Sequence, residues 1–306
     1  MPRRSSKRPA RILALARNPS PSLTRLSKAA ILRADKPGLF RIGRLILKKR
    51  GQVLESYGQT DVGRRRKLNE DSFDVDDAIG LYVVCDGMGG HNAGEVASKL
   101  ALETIKGFVD KSEKEKEITW PYGLDVNLSF HGNRLCTAIK LANRKVFKTA
   151  DSQEEYTGMG TTVVTGLVAG NVLTVGWAGD SRAYLFRDHV LSQLSRDDSW
   201  VTAAWSEGIL TVEEIERHPL KNVITKAVGA KETIEPQAVE QVLQNDDLAL
   251  ICSDGLHSMI NDALIQSIMV AHEKGSLADG CAALIAAALE AGGKDNVSVI
   301  LLRYTE

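Results

Sequence analysis

The chain has 306 residues, 43% hydrophobic and 25% charged, a globular balance that excludes disordered, collagen-like and disulfide-dense classes. Its formal net charge is zero, yet residues 1–50 carry +14 and the remainder therefore −14, so a basic arm precedes an acidic body. No stretch is long and apolar enough to read as a membrane-spanning helix, and four scattered cysteines without a CxxC pair read as buried small hydrophobes in a reducing, cytoplasmic compartment.

In chain order, residues 1–51 form a basic N-terminal extension. Residues 1–50 are rich in Arg, Lys, Ser and Pro and lack strand alternation, which predicts no fixed structure in isolation. They read as a solvated tail, a targeting segment, or an anchor on an anionic surface such as lipid or nucleic acid. Arg41 and Arg44 interrupt the apolar segment Leu39–Leu47, and residues 12–16 are too short for a secretory core. Residues 52–306 then read as one catalytic-size domain, large enough to bury its own core. Leu81–Cys85 is an apolar run ended by Asp-Gly and predicts a buried strand with a turn at its end. Gly94–Val109 and Asn133–Thr149 have helical spacing. The run Lys111–Glu117 predicts a solvated loop or helix end. Thr161–Val168 and Val172–Trp177, split by Gly170-Asn171, predict a hairpin, and Arg182–Phe186 a further strand. Leu248–Cys252 is another apolar strand, Asp262–Ala271 and Leu277–Ala291 are helices, and Val297–Leu302 is the last strand. Hairpins imply antiparallel sheets, and paired helices between strand groups imply segregated layers.

Aspartates gather at the strand ends: Asp86 in Asp86-Gly87-Met88-Gly89-Gly90, Asp180 in Gly179-Asp180-Ser181-Arg182, Asp254 in Ser253-Asp254-Gly255, and Asp295 before Asn296. One Asp-Gly is an ordinary turn. Four at apolar strand ends would crowd into a small volume if those ends converge, raising one another's pKa values. A divalent cation removes that penalty. All the candidate ligands are oxygens, and no Cys/His set has zinc spacing, so the chemistry suits Mg²⁺ or Mn²⁺.

With Arg66-Lys67-Leu68-Asn69-Glu70-Asp71 and Gly160-Thr161-Thr162, these motifs occur in an order that resembles the metal-dependent protein phosphatases of the 2C type, most of all their bacterial branch. The resemblance covers nearly all of residues 52–306. It implies an α+β fold: two stacked antiparallel sheets flanked on both outer faces by pairs of helices. It also implies hydrolysis of phosphoserine and phosphothreonine in proteins by a water activated at a two-metal centre. Asp86 would bridge the ions and the Gly87 carbonyl would bind one. Asp254 and Asp295 would complete the first site, Glu70 would hold waters of the second, and Asp71 would stand in the outer shell. Arg66 would grip the substrate phosphate through its planar fork, with Arg64 and Arg65 as adjacent alternatives. Asp180 would serve a weaker third metal. A cognate serine/threonine kinase is the partner that the family suggests.

The sequence departs from the family in two places. Ser258 stands where many members carry an acid, which weakens the third metal. Met88 stands where some relatives carry a His as leaving-group acid; His91 is the nearby histidine, read more simply as a loop residue. The segment Ser195–Thr211 resembles the family's mobile flap, and its Trp200 and Trp205 are expected in the core. His218-Pro219-Leu220 and Ile224–Gly229 read as structural. Two rivals stand beside the enzyme: a catalytically silent phosphopeptide-binding module of the same fold, and a nucleic-acid-binding protein working through residues 1–50.

Overall fold

In chain order the strands are β1 (Leu39–Lys49), β2 (Gln52–Asp61), β3 (Asp71–Asp76), β4 (Leu81–Met88), β5 (Gly160–Thr161) and β6 (Val163–Ala169). They continue with β7 (Val172–Ala178), β8 (Arg182–Arg187), β9 (Val190–Gln193), β10 (Gln237–Val242), β11 (Leu248–Cys252) and β12 (Val297–Thr305). The longer helices are α1 (Ala93–Lys114), α2 (Phe130–Ser152), α6 (Asp262–His272) and α7 (Leu277–Glu290); α3 (Trp200–Ser206), α4 (Val212–Arg217) and α5 (Asp254–His257) are short. This computed structural model describes residues 39–49, 52–90, 93–115 and 118–306. One sheet has the order β1-β2-β12-β11-β8-β9 and the other β10-β7-β6-β4-β3, with β5 paired to β4. Every ladder is antiparallel.

The period-2 side-chain alternation of a strand sorts the apolar residues into three layers. Leu81, Val83 and Cys85 of β4 face Ala97, Ala101 and Ile105 of α1 and Leu135 and Ile139 of α2. Tyr82 and Val84 turn inward instead, packing between the sheets with Val175, Ala249, Ile251 and Ile300. Leu250, Cys252, Val299 and Leu301 face Ile265 of α6 and Cys281 and Leu284 of α7. Both faces of the central strands are covered, which is why they read as unbroken apolar runs. The expected sandwich with helix pairs on both outer faces is the observed fold.

Three local expectations need correction. Leu39–Lys49 is a strand, antiparallel to β2, although residues 1–50 were read as lacking alternation. The register shifts between Ile42 and Leu45, and a bulge of that kind breaks the period-2 pattern on which the reading relied. Asp86-Gly87 is not a turn: β4 runs on to Met88, because Gly87 and Met88 pair with β5. Asp254-Gly255 opens the short helix α5 rather than a turn. The predicted hairpin is present, with Gly170 at φ 63° between β6 and β7. The charge run from Lys111 closes α1, with Lys111 and Lys114 in its last turn.

Candidate metal centre

Both sheets deliver carboxylates to one end of the sandwich. In the β3–β4 ladder Asp71 lies directly opposite Asp86. The other sheet brings Asp254, the first residue of α5 after β11, and Asp295, just ahead of β12. Asp180 sits where the chain crosses from β7 to β8. The backbone under Asp86 is fixed from the neighbouring strand: the Thr162 N–H and the Thr161 hydroxyl both donate to the Asp86 carbonyl, each at 2.8 Å. Thr162 Oγ1 in turn lies 2.7 Å from Ser181 Oγ, tying in the Asp180 loop.

Glycine is required at Gly87, where a Cβ would collide with the carbonyls of Gly94 and Glu70. That close approach seats the N-terminus of α1 against the end of β4. The Gly94 N–H donates to the Glu70 carboxylate, and a Cβ on Gly94 would stand 2.5 Å from Glu70 Oε1. Glu70 is thus aimed at the centre by a helix N-terminus, which favours negative charge.

Asn296 organises the Arg66 loop. Its Nδ2 donates to the carbonyls of Val62 and Leu68, both at 2.9 Å, while its Oδ1 accepts from the Glu70 N–H at 2.8 Å. Held this way, Arg66 donates through Nη2 to Asp295 Oδ2 at 2.7 Å and stands 3.8 Å from Glu70 Oε2. It is 47% exposed on its side chain, so its guanidinium faces the solvent side of the carboxylates. Asp71 is buried behind them. The hydroxyls of Ser253 and Ser298 both donate to its Oδ2, at 2.9 and 2.6 Å.

The crowding has the expected electrostatic consequence. Burial, then the neighbouring Asp71, Asp254 and Asp180, pushes Asp86 well above the usual carboxylate range. Burial first, then Asp254 and Asp197, raises Asp180 to about 7. Burial raises Asp71 to about 7 against its two serine donors, and burial also raises Glu70 and Asp254. Among the described residues no three such side chains are yet drawn in around a single point at ligating spacing. The donor set nevertheless fits hard divalent cations. It is all oxygen, and Asp254 Oδ1 is buried with no hydrogen-bond partner, an unsatisfied acceptor that a cation would satisfy.

The structure brings together Arg66, Glu70, Asp71, Asp86, Gly87, Asp254 and Asp295, with Asp180 beside Asp254. Ser258 caps α5, its N–H donating to the Asp254 carbonyl. His257 Nε2 lies 3.0 Å from the Asp180 carbonyl, and burial lowers its pKa to about 3, so the ring is neutral. Met88 packs against Gly160. His91 lies outside the described residues. Sequence reasoning quoted Asn296 without assigning it a role, and the signal was present: an amide beside a ligand aspartate can bond to donors and acceptors at once. It likewise placed Asp198 in the flap segment without a role, and Asp198 is buried at the root of the flap. Asp198 Oδ2 accepts from the Gly179 N–H at 3.2 Å, and its Oδ1 meets Lys226 Nζ at 2.8 Å. The flap's aromatics are not core residues. Trp200 and Trp205 are 37% and 45% exposed, Trp200 stacking on His218 at 4.9 Å and Trp205 lying under Arg196 at 5.7 Å. The flap is anchored by polar contacts at its ends, so its rings were never needed for a core.

Known proteins resemble this chain in sequence and fold. The family model for protein phosphatase 2C matches residues 60–289. A serine/threonine phosphatase, stp, of Listeria monocytogenes is 33% identical over 247 residues, 80% of this chain and 93% of that one. The serine/threonine protein phosphatase PstP of Mycobacterium tuberculosis is 34% identical over 249 residues, 81% of this chain and 45% of its own length. A crystal structure of the Mycobacterium tuberculosis PstP/Ppp phosphatase superposes with a TM-score of 0.71 at 32% identity, covering 86% of this chain and all of that one. The PstP catalytic domain in complex with two manganese ions gives a TM-score of 0.69 at 33% identity, with 83% and 100% covered. Motif order, sandwich topology and convergent carboxylates agree with these likenesses, and the chain belongs to the protein phosphatase 2C family.

Proposed function

We propose that this chain hydrolyses phosphoserine and phosphothreonine in proteins at a centre of two divalent cations, Mn²⁺ or Mg²⁺. The observation that carries the reading is the delivery of Asp86, Asp254 and Asp295 from both sheets to one end of the sandwich, with a buried Asp254 oxygen that lacks a hydrogen-bond partner. Asp86, the Gly87 carbonyl, Asp254 and Asp295 would hold the ions, with Glu70 acting through waters. Asp71 would orient its neighbours from behind, and Asp180 would serve a weaker third ion in the absence of an acid at Ser258. When bound, the ions would neutralise the acidic cluster and the phosphate and activate a water for in-line attack. Arg66 would supply the remaining need, orientation of the phosphate, because two parallel N–H bonds fix the group as well as attract it. The silent binding module is disfavoured, since Asp86, Asp254, Asp295, Glu70 and the phosphate arginine Arg66 are all present.

The decisive experiment is a metal-dependence profile on a phosphothreonine peptide. Turnover should require Mn²⁺ or Mg²⁺ and vanish with chelator. Ion binding should also raise the melting temperature, by the equivalent of about 2.7 kcal/mol at a hundred times Kd. Turnover that persists in chelator would refute the reading. Arg66→Ala should raise KM for phosphopeptides about tenfold with little change in kcat, because a charge-assisted phosphate contact is lost from the ground state. An unaltered KM would move the role to Arg64 or Arg65.

The catalytic unit in this reading is residues 52–306, extended at one sheet edge by β1. Residues 1–38 lie outside the described residues, and an anionic surface stays the proposed partner of the basic arm. Among the described residues no helix is long and apolar enough to cross a membrane; a cytoplasmic location and an opposing serine/threonine kinase belong to the proposal.

A further inference from the structure

A cleft of about 740 Å³ opens beside the centre, between the N-terminus of α1 and the turn that precedes β5. Gly90, two residues beyond the end of β4, the strand that carries Asp86, forms one lip. Val96 and Tyr156 are partly buried against the core and line the cleft. The exposed Glu95, Glu154 and Glu155 stand in its walls, with the cation Lys99 beside them. Among the described residues neither Glu95 nor Glu154 is held in an ion pair.

The position of the cleft matters as much as its charge. Arg66 reaches to within 3.8 Å of Glu70, the Glu70 carboxylate rests on the Gly94 N–H, and Glu95 is the next residue. Phosphate grip, metal ligand and cleft therefore follow one another across the surface. An extended peptide advances about 3.3 Å per residue, so a chain anchored by its phosphate would carry its flanking residues along this surface to the cleft.

Resting on the phosphatase reading, we infer that this cleft is a substrate subsite for a lysine or arginine flanking the phosphorylated residue. An apolar floor with acids at the walls suits a long side chain that is aliphatic along its stem and cationic at its tip. The acids would select the charge, while Val96 and Tyr156 would pack the methylenes.

The test uses the full chain with Mn²⁺ and phosphothreonine peptides that differ only in carrying Arg, Ala or Glu at the flanking positions, with para-nitrophenyl phosphate as the flank-free substrate. The expected order of kcat/KM is Arg over Ala over Glu, with the differences shrinking at high salt because exposed charges are screened. In the double variant Glu154→Gln/Glu155→Gln the Arg-over-Ala ratio should fall by about tenfold at most, the scale of two exposed ion pairs. Glu154→Lys/Glu155→Lys should reverse the preference towards Glu. Equal turnover of the three peptides by the native chain, or an unchanged ratio in both variants, overturns the subsite while leaving the phosphatase reading intact if para-nitrophenyl phosphate is hydrolysed. No turnover of any substrate overturns both.

Discussion

Asp86→Asn will reduce turnover by about 10²-fold or more while leaving the fold in place. Loss of a residue that merely orients a metal ligand already costs about 10- to 100-fold in affinity or activity, and Asp86 is proposed to touch both ions. The same substitution should act in the opposite direction on the metal-free protein. Burial and the like charges of Asp71, Asp254 and Asp180 raise the Asp86 pKa in the folded state. A carboxyl whose folded pKa is raised penalises folding once the pH exceeds its unfolded value, and the penalty is fully developed above the folded value. Asparagine removes it. In chelator at neutral pH, Asp86→Asn should therefore melt higher than the native chain, and the order should invert on adding Mn²⁺. Melting curves with and without metal, alongside turnover, measure both effects. Native-level activity, or a variant that gains as much from Mn²⁺ as the native chain, would remove Asp86 from the centre.

The second large effect is expected at Asn296→Ala. Asn296 is 4% exposed and satisfies the Val62 and Leu68 carbonyls and the Glu70 N–H. Its loss strips three partners from backbone groups that the loop encloses. At about 1 kcal/mol for each bond the destabilisation is about 3 kcal/mol. Catalysis should suffer separately, since Arg66 and Glu70 both ride on this loop, and kcat/KM should fall about 10- to 100-fold even where the variant is fully folded. Asn296→Asp is the informative companion: it keeps the size and one acceptor but replaces the donor with a charge facing two carbonyls. It should be no better than alanine. Denaturant unfolding and steady-state kinetics at a temperature well below the melt separate the two consequences. Unchanged stability in Asn296→Ala would show that the loop holds itself.

The cleft inference ties these expectations to selectivity. In the proposed reading, the chemistry at Asp86 and its neighbours is one that any phosphate ester can undergo, so discrimination among phosphoproteins would come from surfaces around the centre. The walls of α1 and the turn before β5 are such a surface, and they differ in charge from the Arg64–Arg66 side of the centre.

Much was legible from the sequence because its signals are local. Leu248–Cys252 coincides with β11, and the hairpin at Gly170-Asn171 is where the turn chemistry put it, since apolar runs and glycine turns depend on neighbouring residues alone. The clustered aspartates were legible through their motif order, and oxygen-only donors pointed to the class of metal proposed for them. The tertiary structure decided the rest. The Leu39–Lys49 strand depended on a partner in β2 and a bulge that hides its period. Trp200 and Trp205 proved to be surface residues because Asp198 and its partners anchor the flap without them. Asn296 acquired its role from carbonyls more than two hundred residues away in sequence, and the cleft is formed by α1 and a segment about sixty residues further along the chain. Side-chain types and spacings set what each segment can do. Long-range approach, which no local pattern encodes, determines which segments meet.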